Sequence, residues 1–94
     1  MSVAELIRTE LTNAFAPTRL EVIDESHLHA GHAGARPEGE THFRVTVVSA
    51  AFAGESRLAR QRAINRVLAD QLAGPVHALA LKALTPEEDK GAEG

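Results

Sequence analysis

The chain has 94 residues, with 10 Lys and Arg against 13 Asp and Glu, five His and no Cys, giving a formal net charge of −3. That length supports one small domain with a single core; with three Phe and neither Trp nor Tyr, the core has to be mainly aliphatic. The missing Cys excludes disulfides and thiolate ligands from this chain, the acidic balance excludes a global field that attracts nucleic acid, and no apolar run nears the roughly 20 residues of a membrane helix.

The start, Met1-Ser2-Val3-Ala4-Glu5, has neither the basic region nor the apolar stretch of a signal peptide, so a cytoplasmic protein with no membrane contact is expected. Residues 3–15 read as a helix. Ser2 and Glu5 have the spacing of a capping box, in which each side chain takes the other's free amide. Ile7, Leu11, Ala14 and Phe15 form one apolar stripe at helical spacing. Pro17 ends the helix, because it disfavours helical geometry at Ala16. Residues 19–24 are a short strand, with Leu20 and Val22 on one face. Residues 41–49 are a second strand, in which Phe43, Val45 and Val47 alternate with His42, Arg44 and Thr46. That alternation places His42 on the face opposite Phe43.

The connection 25–40 has no period and is far longer than a hairpin turn; such loops are usually functional or disordered. It carries His27, His29 and His32. After the break at Ala51-Phe52-Ala53-Gly54-Glu55, Ser56 caps a helix over 57–73, with Ile64, Val67, Leu68, Gln71 and Leu72 along one stripe. Gly74-Pro75 stops it. A last strand runs from Val76 to Ala83, with His77, Leu79, Leu81 and Ala83 on one side. Thr85-Pro86 can begin one more helical turn, with Thr as cap and Pro first. The order α-β-β-α-β predicts an α+β domain over residues 1–86, with helices on one face of a three-stranded mixed sheet. The first two strands pair antiparallel; the right-handed crossover makes the last two parallel. Residues 87–94 are expected to be an acidic, disordered tail.

Several histidines in one loop and a fifth fixed at a strand start suggest a metal site, since neutral imidazole is the commonest protein metal ligand. A closed zinc site takes four protein ligands. This chain offers two or three well-placed ones, so it is suited to half of a shared site. The ordinary alternatives are a polar surface loop and a half-buried His77 with a backbone partner. A second constellation is Arg57, Arg60, Arg62 and Arg66, a basic helix able to face phosphates or, more simply, solvent. Gly31-His32-Ala33-Gly34 matches a KH-domain GXXG clamp literally, but it lies between strands rather than helices and reads as chance. No nucleophile elbow or P-loop is present, so an enzyme is not expected.

Taken together, these motifs resemble the BolA family. The resemblance rests on Leu20-Glu21-Val22-Ile23-Asp24-Glu25-Ser26, Glu40-Thr41-His42-Phe43-Arg44-Val45, Phe52-Ala53-Gly54-Glu55-Ser56, Arg60 with Arg62, and Val76-His77-Ala78-Leu79-Ala80-Leu81 before Thr85-Pro86. It implies a KH-like class II fold. It also implies a monothiol glutaredoxin partner sharing a bridged [2Fe–2S] cluster, with the glutaredoxin cysteine and glutathione on one iron and two ligands from this chain on the other. The fixed ligand would be His77; the loop ligand would be His29. Two departures stand out. The loop looks longer than in many relatives, which leaves His32 as a rival, and Gln61 stands between Arg60 and Arg62 where the family often has His. On this reading the chain holds no cofactor alone, is a monomer or weak homodimer when free, and acts in cluster assembly, delivery or iron sensing. The family's other described role, DNA-binding transcriptional regulation, would fall on Arg57, Arg60, Arg62 and Arg66.

Overall fold

The computed structural model describes residues 2–25, 42–74, 76 and 78–93. Helix α1 spans Val3–Phe15 and strand β1 Arg19–Asp24; strand β2 spans His42–Val48 and a 3-10 turn Ala50–Phe52. Helices α2 and α3 span Arg57–Val67 and Ala69–Ala73, strand β3 Ala78–Leu84, and helix α4 Pro86–Glu93. The sheet order is β1-β2-β3, with β1 antiparallel and β3 parallel to β2, as the crossover rule requires.

Local chemistry accounts for the first helix. The Ser2 hydroxyl accepts from the Glu5 amide at 3.1 Å, and Glu5 accepts from the Ser2 amide at 3.1 Å, closing the capping box. At the other end Ala16 turns left-handed, with φ of 45°, and donates its N–H to Thr12 at 3.0 Å before Pro17. Ile7 and Leu11 are buried and Phe15 packs beside them, but Ala14 is exposed. The stripe therefore lies toward Val3, Ala4, Ile7 and Leu11 rather than over Ala14.

One face of the sheet makes the core. Val22, Phe43, Val45 and Val47 are buried against Ile7, Leu11, Phe52, Ile64, Leu68 and Val76, with Leu79, Leu81 and Ala83 packed beside them. Phe15 and Phe52 meet with ring centroids 5.1 Å apart. The expected helix over 57–73 is two helices. Leu68 leaves helical geometry (φ −96°, ψ 15°) while its side chain stays buried, so the apolar period continues across a break that it does not reveal.

The C-terminal segment departs from expectation. From residue 86 the chain is the helix α4, not a disordered tail. Thr85 and Glu88 form its own capping box: the Thr85 amide donates to Glu88 Oε1 at 2.8 Å, and the Glu88 amide donates to Thr85 Oγ1 at 3.2 Å. Two ion pairs to residues distant in sequence then fasten the helix, Arg60 with Glu88 and Arg19 with Asp89. Arg19 pairs with Val48 in the sheet register, and Val48 is buried although it lies on the face opposite Phe43, Val45 and Val47. Helix α4 thus closes one end of the second face. Among the described residues, no helix is long and apolar enough to cross a membrane.

Candidate functional site

His29 and His32 and the fixed candidate His77 lie outside the described residues, and so does His27; their surroundings on the sheet are described. Strand β1 ends at Asp24, which pairs with Phe43, and the Glu25 amide then donates to the His42 carbonyl at 2.8 Å. His42 in turn pairs with Ala78, the first residue of β3. The last rung before residues 26–41, the first rung after them and the residue that follows His77 are therefore neighbours on one edge of one sheet. Parallel pairing of β2 and β3 produces this: both strands begin at the edge where β1 ends.

His42 is half-buried on the face opposite Phe43, as the alternation predicts. Beside it, Arg44 Nε donates to Glu25 Oε2 at 3.1 Å. This ion pair ties the β1 end of the edge to β2, and it uses one of the two adjacent carboxylates Asp24 and Glu25 that the sequence shows at the strand end. Among the described residues, no group of three or more His, Cys, Asp and Glu side chains is placed to hold a metal. The donor set of the chain is imidazole without thiolate. It fits a contribution of neutral ligands to a site completed by another molecule.

The basic helix resolves into different roles. Arg60 is a structural residue: its side chain is 11 % exposed, Nη1 donates to the Ala83 carbonyl at 3.0 Å, Nε donates to the Glu55 carbonyl at 3.0 Å, and both Nη groups engage Glu88. Its guanidinium carbon stands 6.0 Å from the Phe52 ring centre, within cation–π range. The hydrogen bond from Arg60, helped by the Thr85 amide, holds the Glu88 carboxyl down at about 2 from an ordinary 4.5. Arg19 holds Asp89 below its ordinary range in the same way. Arg57, Arg62 and Arg66 are exposed. At about 3.6 residues per turn, Arg62 and Arg66 share a face with Leu58, while Arg57 lies well round the helix. Leu58 is 55 % exposed. The four arginines therefore do not form one surface. Nothing in the local sequence separates Arg60 from Arg62; only the packing of α4 on β3 brings Glu88 to Arg60.

Comparison with known proteins bears on the family of the chain. BolA-like protein 1 of Pongo abelii is 52% identical over 86 residues, which cover 92% of this chain and 60% of that protein. The protein named DNA-binding transcriptional regulator BolA of Escherichia coli is 45% identical over 91 residues, covering 97% of this chain and 83% of that one. Among solved structures, the BolA domain of SufE1 from Arabidopsis thaliana superposes with a TM-score of 0.83 and 43% identity, covering 94% of this chain and 96% of that one. The chain thus spans less than two thirds of the animal protein it matches. The family described as BolA-like protein matches residues 11–88, which include α1 from Leu11, all three strands and the capping box of α4, and the chain belongs to the BolA family.

Proposed function

We propose that the protein is a non-enzymatic iron–sulfur adaptor. It binds a monothiol glutaredoxin and, with that protein's cysteine and glutathione, completes a shared [2Fe–2S] site through His77 and one loop histidine, His29 or else His32. The observation that carries this reading is the sheet edge formed by Glu25, His42 and Ala78: the segment 26–41 and the position before Ala78 depart from adjacent rungs. Backbone hydrogen bonds thereby start the two segments that carry the candidate ligands from the same end of the sheet. Membership of the BolA family and the likeness to a BolA domain of SufE1 support the same direction.

The chain's own part is to supply neutral donors. A cluster with two imidazoles in place of two thiolates carries less negative charge and has a higher reduction potential. The missing Cys fits a division in which every thiolate comes from the partner side. Reconstitution with a monothiol glutaredoxin and glutathione, followed by visible absorption and circular dichroism, tests the reading. A hetero-complex spectrum that changes with His77→Ala is expected; an unchanged spectrum removes the ligand assignment. Comparing His29→Ala with His32→Ala then separates the loop candidates.

A second reading is DNA-binding regulation, favoured by the name of the Escherichia coli relative and by the exposed Arg62 and Arg66 on one face of α2. With Arg60 committed to Glu88, the reading rests on Arg57, Arg62 and Arg66. Phosphate contacts make affinity fall steeply with salt. Duplex binding at low salt that weakens in Arg62→Ala and Arg66→Ala would support it, and no binding at low salt would end it.

A further inference from the structure

Among the described residues, the face of the sheet opposite the core is only partly covered. Helix α4 closes the end at Arg19, Val48 and Leu84, and the next rungs toward the other end are Glu21–Thr46–Lys82 and Ile23–Arg44–Ala80. On these rungs lies a hollow of about 220 Å³ lined by Arg44, Val45, Thr46, Ala80, Leu81 and Lys82. Its making is legible in the register. Arg44 and Thr46 are two residues apart on β2 and share the face; Lys82 is the cross-strand neighbour of Thr46; Ala80 is the neighbour of Arg44. Between three longer side chains, Ala80 supplies only a methyl group, and the space above it is open.

The polar groups around the hollow are donors with capacity to spare. Among the described residues, neither Thr46 Oγ1 nor Lys82 Nζ has a hydrogen-bond partner. Arg44 commits its Nε to Glu25, which leaves both terminal amino groups. The carboxylates nearby are engaged: Glu21 and Asp89 by Arg19, and Glu25 by Arg44, while the Lys82 charge also helps to hold the Asp89 carboxyl down. Arg44, Thr46 and Lys82 therefore border one cavity that carries two cationic side chains and a hydroxyl. The volume is below the roughly 300–1,000 Å³ of pockets that hold whole small molecules, so it suits a single group. Two cationic side chains and a hydroxyl suit a doubly charged phosphate better than a singly charged carboxylate. Arg offers forked donation and Lys a compact charge, the pair of chemistries used to hold phosphate.

We propose that this hollow is an anion site that takes a phosphate group, held by Arg44, Thr46 and Lys82 over Ala80. The site lies next to the histidine edge, with Arg44 common to both, and does not rest on the cluster reading. The source of the phosphate is either the free ion or the phosphoryl end of a nucleotide. The test is a titration of the full chain with inorganic phosphate, read by amide chemical shifts, with sodium chloride at matched ionic strength as the control. A parallel titration uses a nucleoside 5′-monophosphate. Saturable shifts at Thr46, Ala80 and Lys82 are expected with phosphate and not with chloride. Tighter binding of the nucleotide would assign the source to a phosphate ester, and equal binding to the phosphate group alone. Loss of one charged hydrogen bond should weaken binding about tenfold in Lys82→Ala and in Arg44→Ala. Ala80→Val, a substitution suited to a strand, should block the floor with the fold retained. Shifts that do not saturate, that chloride reproduces, or that survive all three substitutions would overturn the proposal.

Discussion

The two ends of the sheet are built on different principles. At one end, the rung Arg19–Val48–Leu84 is closed by α4, Val48 and Ser49 are buried, and the arginines Arg19 and Arg60 are bound to Asp89 and Glu88. Ser49 alone joins three elements there: its hydroxyl donates to the Phe15 carbonyl at 2.6 Å and accepts from Ala51, and its amide donates to Leu84. At the other end, β1 stops and β2 and β3 start, Asp24 and Ala78 are exposed, and the histidine-bearing segments begin. Ion pairs across the closed end join α4 to β1 and α2. On the proposed function, the neutral donors belong to the segments that leave the other end. The charged residues most suggestive of nucleic acid in the sequence thus include one whose work is internal, and the residues assigned to partner chemistry carry no formal charge.

Substitutions can break this contrast. The largest effect is expected from Arg60→Ala, which leaves the Ala83 carbonyl and Glu88 without their partner and should cost about 1–3 kcal/mol in urea unfolding; cluster formation with glutaredoxin, measured on the folded fraction, should persist. Ser49→Ala removes a buried hydroxyl that serves Phe15 and Ala51 and should cost about 1–2 kcal/mol by the same measurement. If either variant unfolds like wild type, the closed end is not what holds the fold.

Acid sharpens the contrast. The folded Glu88 carboxyl sits at about 2, below its ordinary 4.5. A lowered pKa means stability that is fully present above the unfolded value and is lost as pH falls through the folded value. Unfolding measured from pH 6 down to pH 2 should therefore show wild type losing its advantage over Glu88→Gln between about 4.5 and 2. A constant gap between the two across that range would contradict the ion pair with Arg60.

The smallest effect on stability is expected at the open end. His77→Ala should change unfolding by less than about 0.5 kcal/mol, as for substitutions that leave core packing intact, while removing the hetero-complex spectrum. A cost of several kcal/mol would make His77 a core histidine with a backbone partner and erase the difference between the two ends.

Much of the fold is readable along the chain. The bounds of α1 and β1 follow from Ser2 with Glu5, from Pro17, and from Leu20 with Val22, because caps, prolines and alternation act over a few residues. His42 was assigned to its face by the same alternation. The break at Leu68 was hidden, since Ile64, Leu68 and Leu72 keep helical spacing through it. The length of α4 was hidden for another reason. Thr85 and Pro86 announce a helix start, yet an acidic octapeptide has little intrinsic reason to continue as one. Its partners Arg19 and Arg60 lie 70 and 28 residues away from Asp89 and Glu88.

The sequence by itself determined α1, the three strands, the mixed sheet, the buried face and the family, because each rests on local spacing or on motifs in order. It also excluded thiolate from the donor set. Tertiary structure alone decided which charges are free. Arg60 and Arg62 are two residues apart and look equivalent, but one is held between Phe52, Ala83 and Glu88 and the other is exposed. The same holds for Arg44, Thr46 and Lys82, which strand register alone gathers round Ala80. The physical reason is common to both cases: a side chain's chemistry depends on its neighbours in space, and those are set by pairings whose separation along the chain no local pattern encodes.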